Sequence, residues 1–166
     1  MGGVFMEHNY KIRKELLESV SNLTDQQLNT KPEEGKWSIM QILEHLYLME
    51  KVVVQRMTQE LNYNTEPTSE VPITMLLNRS RKIDAPDFLK PSDEFISLKD
   101  MKSKLDESRE ALINFVSHTS EDDLTNRAMA HRLFGRLRLK QWVELIGYHE
   151  QRHLEQIEEV KEVLQF

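Results

Sequence analysis

Two histidines stand four residues apart near the C-terminus, in the run His149-Glu150-Gln151-Arg152-His153. On a helix, residues at that spacing project from one face, a single turn apart. Such a pair offers two imidazole nitrogens to one divalent ion. With Glu150 directly after the first histidine, the run is formally a zinc-protease signature. The chemistry open to it is peptide hydrolysis, another metal-centred reaction, or none, if the rings are only buried side chains.

The rest of the chain argues against a protease. Zinc proteases with this signature take a third protein ligand after the pair, either a histidine at short fixed spacing or a glutamate on a later helix. Leu154-Glu155-Gln156-Ile157-Glu158-Glu159 supplies neither, because the residues after His153 continue one helical pattern. Glu150 lies about 100° around the helix from the ligand face and reads, with Arg152, Glu155 and Glu158, as a solvated charge. A third ligand comes more economically from His45, which occupies an apolar stripe of another helix. A buried imidazole costs stability unless its nitrogens are partnered, and one ion would satisfy a nitrogen on each of the three rings. Three imidazoles leave a coordination position open, the arrangement of a catalytic rather than a structural site. A helical bundle with polar core positions and no metal is the plain alternative. Of the other histidines, His8 and His118 read as surface residues at helix ends. His131 fits a pocket mouth and a plain loop equally well.

The positioning elements read as helices. Apolar residues recur at three and four, and the chain holds five glycines and five prolines in 166 residues. The first helix spans about Met6 to Val20, with Thr24-Asp25-Gln26-Gln27 opening a short turn. Ser38 and Gln41 form a capping box for a second long helix that ends near Leu61, with Trp37 placed to staple against Ile42. Its core face carries Ile42, His45, Met49, Val53 and Met57. Residues 62 to 97, with four prolines, form a long connection in which Ile73 to Ser80 allows one or two helical turns. The third long helix runs from Ser97 to about His118, with Ser108 in its apolar row suggesting close approach or a cavity wall. A short turn follows Ser120, then an irregular stretch from Ala128 to Gly135. The last helix spans Leu139 to Leu164, and no strand shows convincing alternation. The expected fold is all-α: one domain over 1–166, a four-helix bundle with one long crossover connection and short accessory helices.

Composition bounds the partners. The formal net charge is −6, which lacks the broad positive field of a nucleic-acid binder. No apolar run approaches the roughly 20 residues that cross a bilayer, and no targeting segment or convincing myristoylation signal is visible, so a cytoplasmic location without membrane contact is expected. With no cysteine, the chain offers no thiolate of its own. The aliphatic residues Val53, Val54 and Met57 suggest a second apolar face for a homodimer.

Lys36-Trp37-Ser38-Ile39 through Leu43-Glu44-His45-Leu46, Phe134-Gly135 leading to Trp142, and His149-Glu150-Gln151-Arg152-His153-Leu154-Glu155-Gln156 together resemble the DinB-like superfamily. That group of four-helix bundles includes proteins described as metal-dependent hydrolases and thiol transferases. The resemblance spans nearly the whole chain and implies a metal triad of His45, His149 and His153, with Gln156 in the family's trailing glutamine position. It implies a divalent metal, zinc or nickel, a small-molecule substrate, and often a homodimer. Some relatives use low-molecular-weight thiols such as bacillithiol. Arg132 stands where relatives often carry proline after the histidine. The implied activity is metal-dependent thiol S-transfer or hydrolysis, with Gln156 and His131 as pocket residues. The alternative is a non-catalytic, stress-related metal-binding bundle.

Overall fold

Four hydroxyl side chains start helices by accepting a hydrogen bond from the backbone N–H three residues on. They are Thr24 from Gln27, Ser38 from Gln41, Ser97 from Asp100 and Ser120 from Asp123, at 3.0–3.1 Å. At Thr24 and Ser38 the glutamine side chain also accepts from the cap's own N–H, so both capping boxes close. The computed structural model describes residues 5–80 and 82–166. Residues 1–4, where the sequence suggests no targeting signal, lie outside the described residues.

The helices are α1 (Glu7–Val20), α2 (Asp25–Leu28), α3 (Ile39–Glu60), α4 (Leu98–Ser117), α5 (Glu121–Asn126) and α6 (Leu139–Leu164). The long ones, α1, α3, α4 and α6, form a four-helix bundle in which α1 packs on α6 and α3 packs on both α4 and α6. The crossover between α3 and α4 carries two 3-10 turns, Ile73–Leu77 against α6 and Asp87–Leu89 against α3. Among the described residues no helix is long and apolar enough to cross a membrane.

One element departs from the all-helical expectation. Ala128–His131 (β1) and Gly135–Arg138 (β2) pair antiparallel, with His131 opposite Gly135. The stretch expected to be irregular is therefore a hairpin. Its strands are only four residues long, too short for alternation to register. Gly135 has φ +78°, a conformation that favours glycine and closes the turn. The Trp142 indole N–H donates to the Met129 carbonyl at 3.1 Å and pins the hairpin to α6.

The core divides into two apolar halves. One gathers Val53 and Met57 of α3, Leu112 and Phe115 of α4, and Leu145 and Ile146 of α6. The other gathers Leu16 of α1, Leu43 of α3, Leu105 of α4 and Ile157 of α6. Val53, Val54 and Met57, at 3%, 8% and 0% exposure, are consumed by the chain's own core. These three side chains therefore offer no exposed apolar surface of their own.

Between the halves, all four long helices contribute polar side chains. Asn9 and Arg13 (α1), Glu50 (α3), Ser108 and Arg109 (α4) and Glu150 (α6) are all buried. Arg13 Nε donates to both Glu150 oxygens at 3.1 and 3.3 Å, and its Nη2 pairs with Glu150 and Glu50. Arg109 Nε donates to Glu50 at 2.9 Å and its Nη2 to Glu150 at 3.1 Å. The Ser108 hydroxyl donates to Glu50 at 2.6 Å. Burial works against the Arg13 charge, but Glu150 and Glu50 outweigh it and hold its pKa above the ordinary value.

This corrects the sequence expectation for Glu150. Glu150 is not a solvated charge, because its buried carboxylate meets Arg13 of α1 and Arg109 of α4 rather than water. Ser108 fills its small-residue position as a hydrogen-bond donor. His8 is also more enclosed than a surface residue, stacking on Tyr148 at 4.6 Å between ring centroids.

Candidate metal centre

His45 lies two turns into α3, on the face that Ser38 sets by starting the helix. His149 and His153 lie one turn apart on α6, beside the polar layer. Packing of α3 on α6 brings the three rings together. His45 Nε2 is 3.2 Å from His149 Nε2, which is 3.2 Å from His153 Nε2. One ligand atom from each residue falls within 4.8 Å of the others, a group that could hold a metal ion. Nitrogens bound at about 2.0–2.1 Å in tetrahedral geometry lie roughly 3.3 Å apart, so both of these 3.2 Å spacings fit such a donor set.

The outer nitrogens fix the rings. His45 Nδ1–H donates to the Leu89 carbonyl at 2.7 Å, from the second 3-10 turn of the crossover. His153 Nδ1–H donates to Gln156 Oε1 at 2.7 Å. A neutral imidazole has one N–H, so both rings turn an unprotonated Nε2 toward the centre. Two lone pairs facing one middle nitrogen cannot both be met by the single proton it can carry. A cation satisfies all three at once.

Electrostatics keeps the rings neutral. Burial lowers the pKa of His45, against the opposing Leu89 hydrogen bond. Burial, then His153 and His45, push His149 well below the ordinary value. Burial, followed by His45, brings His153 to about 3. Neutral imidazole is the ligating form.

A cavity of about 900 Å³ opens on the triad. Trp37, whose ring lies tilted against His45 at 5.1 Å between centroids, lines it with Met49, Trp142, Gln156 and His131. His131 is thus a cavity residue as well as a hairpin residue. Its Nδ1 accepts from the backbone N–H groups of Leu133 and Phe134 at 3.0 and 3.3 Å, which puts the proton of the neutral ring on Nε2. Burial and the adjacent Arg132 lower its pKa to about 4. His118 is exposed at the end of α4, with Nδ1 2.7 Å from the Asn114 carbonyl.

Comparison with known proteins gives the chain's family and fold. The family model of the DinB superfamily matches residues 8–157. The chain belongs to the DinB superfamily. A superfamily relative, the uncharacterized protein YuaE of Bacillus subtilis (strain 168), is 35% identical over 156 residues, covering 92% of this chain and 94% of YuaE. Two solved structures share the fold. TT2238, described as a four-helix bundle protein, aligns with a TM-score of 0.65 at 19% identity, over 96% of this chain and 99% of its own. YfiT from Bacillus subtilis, described as a probable metal-dependent hydrolase with an unusual four-helix bundle topology, gives a TM-score of 0.63 at 16% identity over 99% and 88%.

The site residues missed in the sequence are those at the cavity rim, Arg56, Lys90 and Arg132 among them. Arg56 carries a readable signal. It is eleven residues beyond His45, close to three helical turns, and so shares that face of α3.

Proposed function

We propose that the chain is a metal-dependent enzyme in which His45, His149 and His153 hold one divalent ion, zinc or nickel, with a coordination position open to the cavity. The observation that carries this is the convergence of three neutral Nε2 atoms on the floor of a cavity large enough for a small-molecule substrate. An ion held there would act as a Lewis acid and lower the pKa of a water or a low-molecular-weight thiol in the open position. The chain's residues supply the rest. Leu89 and Gln156 fix two ligand rings, and Trp37, Met49 and Trp142 supply apolar wall. His131 presents a neutral N–H to the cavity.

Water leads to hydrolysis and a thiol leads to S-transfer onto an electrophile. With no cysteine in the chain, the sulfur comes from a small molecule such as bacillithiol. A non-catalytic module would enclose its ion with a fourth protein ligand. Among the described residues the group contains three.

The test starts with elemental analysis of protein purified without a histidine tag. About one equivalent of zinc or nickel is expected, as prepared or after reconstitution. Less than about a tenth of an equivalent after reconstitution overturns the metal reading. The loaded protein is then assayed with a thiol plus a generic electrophile, and separately with an activated ester. Turnover in either assay that disappears in His149→Ala supports the enzyme reading and separates transfer from hydrolysis. Equal rates from His149→Ala reject it.

A further inference from the structure

The chain carries a net charge of −6, yet the cavity over the triad has the opposite balance. Among the described residues lining it, the arginines are Arg56, Arg79, Arg132 and Arg152, and the lysines are Lys36, Lys82 and Lys90. Only three carboxylates face them: Glu33, Asp84 and Glu159.

Some of that positive charge is already matched. Arg79 pairs with Glu159 at 2.9 Å, Lys82 lies 3.9 Å from Asp84, and Lys90 lies 2.8 Å from Asp87. Arg152 donates from Nη1 to the carbonyls of Leu76 and Asn78, both at 2.8 Å, which fixes its guanidinium on the wall. Three cations are differently placed. Among the described residues no carboxylate lies within ion-pair distance of Lys36, Arg56 or Arg132. The Arg56 guanidinium rests over the Phe88 ring at 5.1 Å, and Arg132 Nη2 donates to the Asp84 carbonyl at 3.2 Å. An aromatic face and a main-chain carbonyl orient a guanidinium without neutralising it.

Their positions span the cavity. Lys36 immediately precedes Trp37, whose ring lies against His45. Arg56 lies roughly 16 Å further along the axis of α3 than His45, on nearly the same face. Arg132 follows His131, and its charge helps lower the pKa of that ring. Three neutral imidazoles at the floor add no negative charge, so a bound divalent ion would increase the positive field.

We infer that the cavity takes an elongated anionic small molecule, one bearing carboxylate or phosphate groups, whose charge is recognised by Arg56, Arg132 and Lys36 while its other end reaches the histidine triad. The inference builds on the proposed metal centre only for the reacting end; the anion preference belongs to the rim. Arginine suits both anions because its planar fork matches their oxygens. The apolar wall between rim and floor suits the body of the molecule.

The test uses the chain's two tryptophans, Trp37 and Trp142, which both line the cavity and report binding by fluorescence. Zinc-loaded and metal-free protein are each titrated at low salt with mercaptosuccinate, thioglycerol, succinate and inorganic phosphate. Mercaptosuccinate is expected to bind the loaded protein at least about tenfold more tightly than neutral thioglycerol, the factor one charge-assisted hydrogen bond supplies. The Arg56→Ala/Arg132→Ala variant should lose that preference and leave thioglycerol unchanged. Arg56→Lys/Arg132→Lys should restore part of it. Both arginines are exposed, so a thermal melt should show the variants folded. Succinate or phosphate binding to metal-free protein should likewise depend on the two arginines, and the stronger of the two identifies the anion. Equal affinity for mercaptosuccinate and thioglycerol, or a preference that survives in the double alanine variant, overturns the inference. Failure of the metal reading has a different signature: mercaptosuccinate then binds no better than succinate, while the arginine-dependent anion preference persists.

Discussion

Two polar clusters sit side by side in the middle of this bundle, and they solve the problem of burial in opposite ways. The quartet of Arg13, Arg109, Glu50 and Glu150 is closed. Two cations meet two anions, and Ser108 and the Leu105 carbonyl take further hydrogen bonds. The triad of His45, His149 and His153 is open, with outer nitrogens of two rings partnered and inner nitrogens facing one another. Neighbouring residues on one helix, His149 and Glu150, belong to different clusters because 100° of helical rotation turns one toward α3 and the cavity and the other toward α1 and α4. A self-satisfied cluster contributes structure, whereas an unsatisfied one at a cavity floor is available to a ligand.

The largest effect should come from opening the closed cluster. Glu150→Ala leaves two buried guanidinium groups short of an anion and should cost about 3–5 kcal/mol in denaturant unfolding, with or without metal. A loss under about 1 kcal/mol would mean that water replaces the carboxylate and the layer is not closed. Next comes His149→Ala. At zinc concentrations about a thousandfold above Kd, wild-type protein should gain about 4 kcal/mol over the metal-free form, and the variant should gain none. Without metal the variant should be close to wild type. A large metal-independent loss would make the triad structural, like its neighbour.

Acidification should separate the clusters further. In the metal-free protein, His131 and His153 titrate at about 4 and about 3, below the ordinary value near 6.5 that applies once the chain unfolds. The unfolded state therefore binds more protons between those limits. Stability should be level above about pH 6.5 and fall as pH drops below it. Denaturant midpoints from pH 7.5 to 4.5 check this, and a flat profile would contradict the buried, neutral state of the rings. Gln156→Leu removes the acceptor for His153 Nδ1–H and should weaken zinc affinity about 10- to 100-fold in competition with a chelator, with little change in the metal-free fold. The smallest effect is expected at His118. Its exposed ring belongs to neither cluster, so His118→Ala should stay within about 0.5 kcal/mol of wild type with unchanged metal content.

The contrast also explains what could be read from the sequence. Capping boxes at Thr24 and Ser38 and the limits of α6 are local signals, and the structure places them as expected. The triad was legible because histidine is conspicuous on an apolar stripe. The closed cluster was not, since a glutamate between a histidine and a glutamine looks like any solvated helix face. Only the arginines that α1 and α4 bring to it reveal four charges in one layer. Arg13, Glu50 and Arg109 each lie near apolar rows, a faint signal that needed all three to be matched to Glu150. The hairpin was hidden by length, and the cavity rim by distance, since Lys36, Arg56 and Arg132 are brought together only by the fold.

One contact bears on how such a protein can change over generations. The second partner of His45 is not a side chain but the main-chain carbonyl of Leu89. Every amino acid supplies that oxygen, so substitutions along the crossover can recut the shape and charge of the cavity wall without touching the ring's anchor, provided the turn keeps its backbone path. His153 depends on the side chain of Gln156 and has no such freedom. The fold thus joins a fixed histidine floor to a wall whose letters are free to drift, a division that would let one site be refitted to new ligands.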